Sequence, residues 1–173
     1  AYLLAWTTTP WTLPGNTALA VAPEADYALV EVDGGYLIVA DALLEQTGLS
    51  GCKVVGVMKG SVLVGLQYEP LYSNIDIRYV REDKKAYRVI EGDFVSMEEG
   101  TGIVHIAPAY GEIDFEVGKK EGLPLVHTVE LNGMVTTDLV TGFTPKAREC
   151  VQKSEGPVVF GPARRKVDLP GAG

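Results

Sequence analysis

Three consecutive threonines near the start of the chain, Thr7, Thr8 and Thr9, could supply hydroxyl groups that bind a ligand or orient a water molecule. They lie in the stretch WTTTPWTLPGN, residues 6–16, directly after an apolar run that predicts a strand. Two prolines and a glycine exclude a helix over this stretch, because proline lacks an N–H and fixes φ. We therefore expect an extended, turning segment at the rim of a sheet. Threonine also favours strands, so the alternative interpretation is that these residues only help to form the strand and bind nothing.

A second stretch, GTGIVHIAPAYGEIDF at residues 100–115, combines an imidazole with a carboxylate. His105 interrupts an otherwise apolar strand, and the two-residue period of a strand places it on one face with Ile103 and Ala107. Asp114 follows in the first turn of a predicted helix, so both side chains can converge on one rim of the sheet. The structural alternatives are a hydrogen-bonded core histidine and an aspartate that caps the helix.

Composition and charge limit the classes of function. The 173 residues suit one domain with a substantial core, and 46% hydrophobic residues with 20 glycines indicate a globular, turn-rich chain. A net charge of −8 argues against tight binding of a polynucleotide through its phosphates. Two histidines, and two cysteines far apart at Cys52 and Cys150, give no metal-ligand spacing. We expect both cysteines to be reduced, buried and structural, in a cytoplasmic protein.

The hydropathy and the N-terminus of the chain lead to three further expectations. No apolar run approaches the length of a membrane span, so no membrane partner is predicted. The N-terminus lacks the basic lead and the cleavage pattern of a signal peptide. The chain begins abruptly in a predicted strand, as a piece of a larger protein would.

Most of the remaining sequence predicts short strands, which indicates an α+β, mostly β fold with a barrel or sandwich core and a few short flanking helices. Strands are predicted at residues 1–6, 17–22, 27–32, 36–39, 53–58, 61–66, 87–90 and 102–106. Helices are predicted at 41–47, capped by Asp41, and at about 112–121, ended by Gly122. The polar segment 73–85 predicts an exposed connection. His127 is expected in a strand before an Asn132-Gly133 hairpin turn.

Together, the stretches 6–16 and 100–115 closely resemble the editing domain inserted into class I isoleucyl-tRNA synthetases, and this resemblance implies that the core is a β-barrel. The related leucyl and valyl domains typically have Thr-Thr-Arg-Pro where this chain has Thr7-Thr8-Thr9-Pro10, and they lack the Val104-His105 pair. The resemblance is strong over residues 1–22 and 92–136. The HIGH and KMSKS signatures of the ATP site are absent from the sequence, so no amino-acid activation site is predicted in it.

The resemblance implies hydrolysis of valine from mischarged tRNA(Ile), and of valyl-adenylate as a further candidate substrate, by an oriented water. A pocket distinguishes one methylene by only about 1–3 kcal/mol, which is why a second, hydrolytic site is needed. By similarity, Asp114 would pair with the substrate's α-ammonium, and Thr7, Thr8 and Thr9 would hold the terminal ribose and the water. His105 would shape a pocket that admits valine and rejects isoleucine.

The resemblance also implies a supporting set of residues around the reacting groups. Trp6, Trp11 and Asn16 would fix the shape of the threonine peptide, residues 7–9, and Ile103 and Ala107 would form an apolar wall of the pocket. The catalytic set is predicted as Thr7, Thr8, Thr9, His105 and Asp114. The substrate-binding set is predicted as Trp6, Thr7, Thr8, Thr9, Asn16, His105, Ala107 and Asp114.

The implied partners are the aminoacylated 3′ end of tRNA(Ile) and the remainder of the synthetase, with the domain itself monomeric. No metal or cofactor is predicted in this domain, since ATP and magnesium would act elsewhere in the full-length enzyme. We assign residues 1–147 to the editing domain. Residues 148–173 match poorly and belong either to the same domain or to appended sequence. Two alternatives remain: a catalytically silent module that docks the tRNA end, and an editing domain of the valyl or leucyl type.

Overall fold

The computed structural model describes residues 1–33, 35–72, 86–129 and 156–160. Within these residues the fold is mostly strand, and the predicted barrel core is confirmed as a curled, half-barrel sheet with few helices. The strands are β1 (Tyr2–Thr7), β2 (Ala18–Val21), β3 (Asp26–Val32), β4 (Gly35–Ala40), β5 (Lys53–Lys59), β6 (Arg88–Glu91), β7 (Ile103–Ile106) and β8 (Gly156–Phe160). The helices are α1 (Gly60–Leu63), α2 (Glu112–Glu121) and two 3-10 helices, Pro10–Gly15 and Asp41–Leu43.

The strand that leads into the threonines lies near the middle of the sheet. The strand order is β5-β3-β4-β1-β7-β2-β6, and β8 pairs antiparallel with β1 outside this path. Leu3 pairs with both β4 and β8, and Trp6 pairs with both β7 and β8. Because a residue can pair with only one strand on each edge, β4 and β7 share the edge of β1 that faces away from β8. The threonines and the histidine strand therefore meet at one place.

Apolar side chains fill both faces of the sheet, as the alternation of residues along a strand requires. Ile103, Leu19 and Leu29 belong to the main buried cluster. Ile106 belongs to a second cluster, which Leu123 joins from the residues that follow α2. The face assignment of β7 is thus confirmed.

Helix α2 is fixed against the sheet at both its middle and its end. Gly118 lies so close to Pro108 that a Cβ on this glycine would come 2.8 Å from the proline Cγ. Arg88 of β6 contacts Glu121 twice, with Nη1 3.1 Å from the carboxylate and Nη2 donating to the backbone carbonyl at 2.9 Å. As predicted, the helix ends at Gly122, whose φ of +67° favours glycine. These contacts hold the first turn, which carries Asp114, in place.

Two predicted elements are wrong. The stretch 6–16 contains the 3-10 helix Pro10–Gly15, although its prolines seemed to exclude any helix. Pro10 lies at the first helical position, where an N–H would have no partner in any case. Residues 61–66 are not a strand, because Gly60–Leu63 forms one helical turn. The N–H groups of Gly60 and Ser61 donate to carbonyls between β2 and β3, which turns the chain there.

Smaller predictions were wrong in detail. Residues 41–47 form only the 3-10 helix Asp41–Leu43 followed by turns, and within the described ranges the side chain of Asp41 makes no capping hydrogen bond. His127 is exposed and lies outside any strand. Cys52 is free but half-buried rather than buried.

Other expectations fall on residues whose structure is not described. The predictions for 73–85, for Asn132-Gly133 and for Cys150 lie outside the described ranges. Of the segment 148–173, only β8 is described, and its five residues all pair with β1, so this part lies in the sheet. None of the helices described is long and apolar enough to cross a membrane.

Gly102 directly precedes β7, the strand that carries His105, and its replacement by alanine should destabilise the fold. Its φ is +72°, and an added Cβ would come 2.4 Å from the Ala40 Cβ. Gly48 is the matched control, because its φ is +71° and an added Cβ would meet no atom of the described residues within 4 Å. We expect Gly102→Ala to lower the free energy of unfolding by about 1–3 kcal/mol more than Gly48→Ala, as overpacking does. Urea unfolding of both variants measures this difference, and equal losses would contradict the prediction.

Candidate active site

A cavity of about 590 Å³ opens where the end of β1 meets β7 and the start of α2. It brings together the two stretches that the sequence analysis selected. Its lining comprises Trp6, Thr7, Thr8, Thr9, Phe94, Ser96, Glu99, Gly100, Thr101, Gly102, Ile103, Val104, His105, Tyr110, Gly111 and Asp114. All five residues of the predicted catalytic set therefore line one cavity.

The three threonines that line the cavity differ in their exposure to solvent and in their hydrogen bonds. Thr7 is buried, and its Oγ1 accepts a hydrogen bond from the Thr9 N–H at 3.2 Å. The Thr9 carbonyl accepts from both the N–H and the hydroxyl of Thr12, at 2.9 and 2.8 Å. Thr8 is exposed, and no hydrogen bond of its hydroxyl is found within the described residues. The Thr8 hydroxyl is thus free to bind a ligand.

His105 is buried and tied to the threonine peptide. Its Nε2 lies 3.0 Å from the Thr12 Oγ1. Because the Thr12 hydroxyl proton goes to the Thr9 carbonyl, we assign Nε2 as the N–H that donates to Thr12. Nδ1 is buried and has no hydrogen-bond partner in the part of the chain that the structure describes. Burial lowers the pKa of His105 from 6.5 to about 4, so the ring is neutral at physiological pH.

Asp114 holds the loop between β7 and α2 and still presents an oxygen atom to the cavity. Its Oδ2 accepts a hydrogen bond from the Ala107 N–H at 2.8 Å. The capping alternative is wrong in detail, because the N-cap residue is Gly111 and no side chain among the described residues caps α2. Burial raises the pKa of Asp114, and the hydrogen bond from Ala107 opposes this increase. For its Oδ1, no hydrogen bond is found among the described residues, so this oxygen is available to a cationic group.

Two members of the predicted substrate-binding set do not line the cavity. Asn16 is buried, its Nδ2 donates to the Ala18 carbonyl, and its Oδ1 accepts from the Tyr68 hydroxyl at 2.6 Å. Ala107 contributes its backbone N–H to Asp114 instead of apolar wall. Both positions fit a supporting role. Trp6 lines the cavity mouth, and Trp11 lies just outside it.

Sequence reasoning missed several lining and contact residues. Thr12 stands inside the motif already singled out, but nothing in its spacing indicates that it contacts His105. Tyr110 lines the cavity, and its hydroxyl contacts the Thr128 hydroxyl and the backbone N–H groups of Thr128 and Val129. Four residues of the segment 94–100 also line the cavity, namely Phe94, Ser96, Glu99 and Gly100. The MEEG sequence within it, residues 97–100, carries no chemical motif.

The charge of the lining is one-sided. Its only formally charged side chains among the described residues are Glu99 and Asp114, and both are acidic. Within the described ranges, no group of three histidine, cysteine, aspartate or glutamate side chains could hold a metal ion. The cavity therefore favours a ligand with an amine.

The buried histidine should make folding stability depend on pH. The unfolded chain binds the His105 proton below pH 6.5, but the folded chain binds it only below about pH 4. Stability should therefore fall as the pH drops from 6.5 to 4, by about 3 kcal/mol from this group. His105→Gln should lose clearly less stability than the wild type between pH 7 and pH 4.5. Urea unfolding at both pH values tests this, and identical pH dependence would refute it.

Comparisons with known proteins identify the family. An isoleucine–tRNA ligase of Clostridium acetobutylicum is 52% identical over 133 residues, which cover 76% of this chain and 12% of that protein. That of Clostridium novyi is 46% identical over 154 residues, covering 89% of this chain and 14% of that protein. The chain belongs to the isoleucine–tRNA ligase family. It spans about an eighth of the length of these relatives. No protein-family model matches the chain.

Solved structures agree with this family at the level of the fold. The crystal structure of the CP1 domain named GlLeuRS-CP1 matches with a TM-score of 0.61 and 18% identity, over 87% of this chain and 66% of that one. The editing domain of the P. falciparum cytosolic leucyl-tRNA synthetase matches with a TM-score of 0.52 and 16% identity, over 69% of this chain and 47% of that one. The chain thus has the fold of a synthetase editing domain, as the sequence predicted.

Proposed function

We propose that this chain hydrolyses the ester that joins valine to the 3′-terminal adenosine of tRNA(Ile). The observation that carries the proposal is the convergence of the Asp114 carboxylate and the threonine peptide on one acidic cavity. An aminoacyl ester has a free α-ammonium, and Asp114 Oδ1 can accept a charge-assisted hydrogen bond from it. The proposal includes the monomeric state, the cytoplasmic location, and the rest of the synthetase as the partner that delivers the acceptor end.

The reaction needs no covalent nucleophile, because an aminoacyl ester is already activated. A water oxygen attacks the ester carbonyl, the bond to the ribose oxygen breaks, and the ribose hydroxyl regains a proton. The products are free valine and uncharged tRNA. The exposed Thr8 hydroxyl can orient the ribose and the water, which lowers the barrier by proximity. No metal or cofactor enters this scheme.

His105 has a positioning and steric role in the proposal. A ring whose pKa is about 4 is a weak base at neutral pH, and because its Nε2–H donates to Thr12, only the buried Nδ1 could accept a proton. We therefore assign the imidazole to the wall that limits the size of the amino-acid side chain. A wall fixed by a hydrogen bond excludes a methylene better than a mobile one, because the cavity cannot enlarge without breaking that bond.

A deacylation assay tests the proposed function directly. The chain is incubated with valyl-tRNA(Ile) and, in parallel, with isoleucyl-tRNA(Ile), and the loss of each ester is followed against buffer alone. We expect hydrolysis of the valyl ester and retention of the isoleucyl ester. No hydrolysis above the buffer rate would favour the silent docking module. Preferential hydrolysis of threonyl-tRNA(Val) or of a mischarged tRNA(Leu) would favour the valyl or leucyl type. Adding valyl-adenylate to the panel tests that second substrate.

A further inference from the structure

Trp11 is a large apolar side chain that the fold leaves open to solvent at the edge of the cavity. Its exposed fraction is 45%, although the residues on its C-terminal side, from Thr12 to Thr17, are all buried. The indole contacts Tyr110 edge to face, with ring centroids 5.4 Å apart and an interplanar angle of 73°. Tyr110 lines the cavity, so Trp11 lies one ring beyond the cavity wall.

The backbone that carries Trp11 is held in place on both sides. The 3-10 helix Pro10–Gly15 is closed by the Thr12 N–H donating to the Thr9 carbonyl and by the Asn16 N–H donating to the Leu13 carbonyl. Gly15 packs directly on Tyr110, since an added Cβ would come 2.8 Å from the tyrosine Cε2. A ring presented by such a fixed backbone loses little entropy when a ligand stacks on it.

The charge of the chain limits how it can hold a nucleic acid. With a net charge of −8 and two carboxylates on the cavity wall, contacts to phosphates can supply little affinity. Stacking of a base on an aromatic ring needs no positive charge and contributes about 1–3 kcal/mol per base. An exposed indole beside the cavity offers this kind of contact.

We propose that Trp11 stacks on the base of the nucleotide that precedes the terminal adenosine of the tRNA. The inference rests on the proposed function, because it takes the terminal adenosine to occupy the cavity. The base next in the strand then leaves the cavity across the Tyr110 wall and meets the indole. Trp11 is accordingly a binding residue for the single-stranded 3′ end of the tRNA, although it does not line the cavity.

The test compares two substrates that differ in the nucleotides before the terminal adenosine. Valyl-tRNA(Ile) contains them, whereas the 3′-valyl ester of adenosine does not. Trp11→Leu should lower kcat/KM for valyl-tRNA(Ile) about 5- to 100-fold, mainly through KM, and leave kcat/KM for valyl-adenosine within twofold. Trp11→Phe, which keeps a ring, should restore most of the activity on the tRNA. Tyr36→Leu is the matched control: Tyr36 is 40% exposed and lies near the start of β4, away from the cavity lining.

Each other outcome overturns the inference or separates it from the proposed function. Equal losses on both substrates would show that Trp11 only shapes the threonine peptide. Unchanged activity of Trp11→Leu on the tRNA would exclude stacking. If the wild type hydrolyses neither substrate, the proposed function fails, and fluorescence of Trp11 in a Trp6→Phe background decides the inference. Quenching by the trinucleotide CCA, but not by adenosine, would then support stacking, and no quenching would refute it.

Discussion

Asp114→Ala should lower the rate of valyl-tRNA hydrolysis about ten- to more than a hundredfold while the chain stays folded. The expected loss is that of one charge-assisted hydrogen bond to the substrate ammonium, about 1.5–3 kcal/mol, expressed at the transition state. Asp114→Asn is the sharper variant. Its amide oxygen can keep the hydrogen bond from the Ala107 N–H while the negative charge is removed. We expect Asp114→Asn to lose activity nearly as severely as the alanine variant.

Glu112→Gln provides the control for Asp114. Glu112 also lies in the first turn of α2, but it is exposed and is not part of the cavity lining. This variant should retain wild-type hydrolysis. Thermal unfolding of all three variants, measured beside single-turnover deacylation, separates the roles. Near-normal hydrolysis by Asp114→Asn with a reduced melting temperature would show that the carboxylate serves only to hold the loop.

His105→Ala should allow the chain to hydrolyse correctly charged isoleucyl-tRNA(Ile). Removing the imidazole enlarges the cavity by several heavy atoms, which is more than the one methylene that separates isoleucine from valine. Steric discrimination of a methylene amounts to about 10- to 200-fold, so the loss of this wall can remove it entirely. Hydrolysis of valyl-tRNA(Ile) should persist, because His105 is a neutral wall residue in the proposal and takes no proton. Deacylation rates on both substrates measure the change in specificity.

Thr12→Val is a useful companion to the histidine variant, because it keeps the shape of Thr12 and removes the hydroxyl that contacts His105. Partial loss of discrimination in this variant would show that the hydrogen bond fixes the wall. If His105 were a general base, His105→Ala would lose activity on valyl-tRNA and gain none on isoleucyl-tRNA. If it were only a core residue, the variant would be less stable with unchanged specificity. Continued rejection of isoleucyl-tRNA by a folded His105→Ala would rule out the steric role.

The local pattern of the sequence was sufficient for most strands and for α2. Alternation placed Ile103 and Ile106 on opposite faces of β7, and the acidic start and glycine end of α2 were readable from a few neighbouring residues. For the apolar segment 61–66, the local pattern predicted a strand where the structure has a helical turn. Contacts of Gly60 and Ser61 with distant carbonyls decide the turn there, and local alternation does not contain that information.

The sequence alone determined which residue types are available for the chemistry. The motifs that contain the threonines and His105 were also sufficient to predict the family. Only the tertiary structure decided which of them face one another. Thr12 contacts His105 across 93 residues of chain, and Asn16 contacts Tyr68 across 52, because β2 pairs with β7 and the threonine peptide turns beneath them. The tertiary structure also places Ala107 and Asn16, both members of the predicted substrate-binding set, outside the cavity lining. Such contacts depend on strand order and helix packing, which arise from burial summed over the whole chain and leave no periodic trace in any one segment.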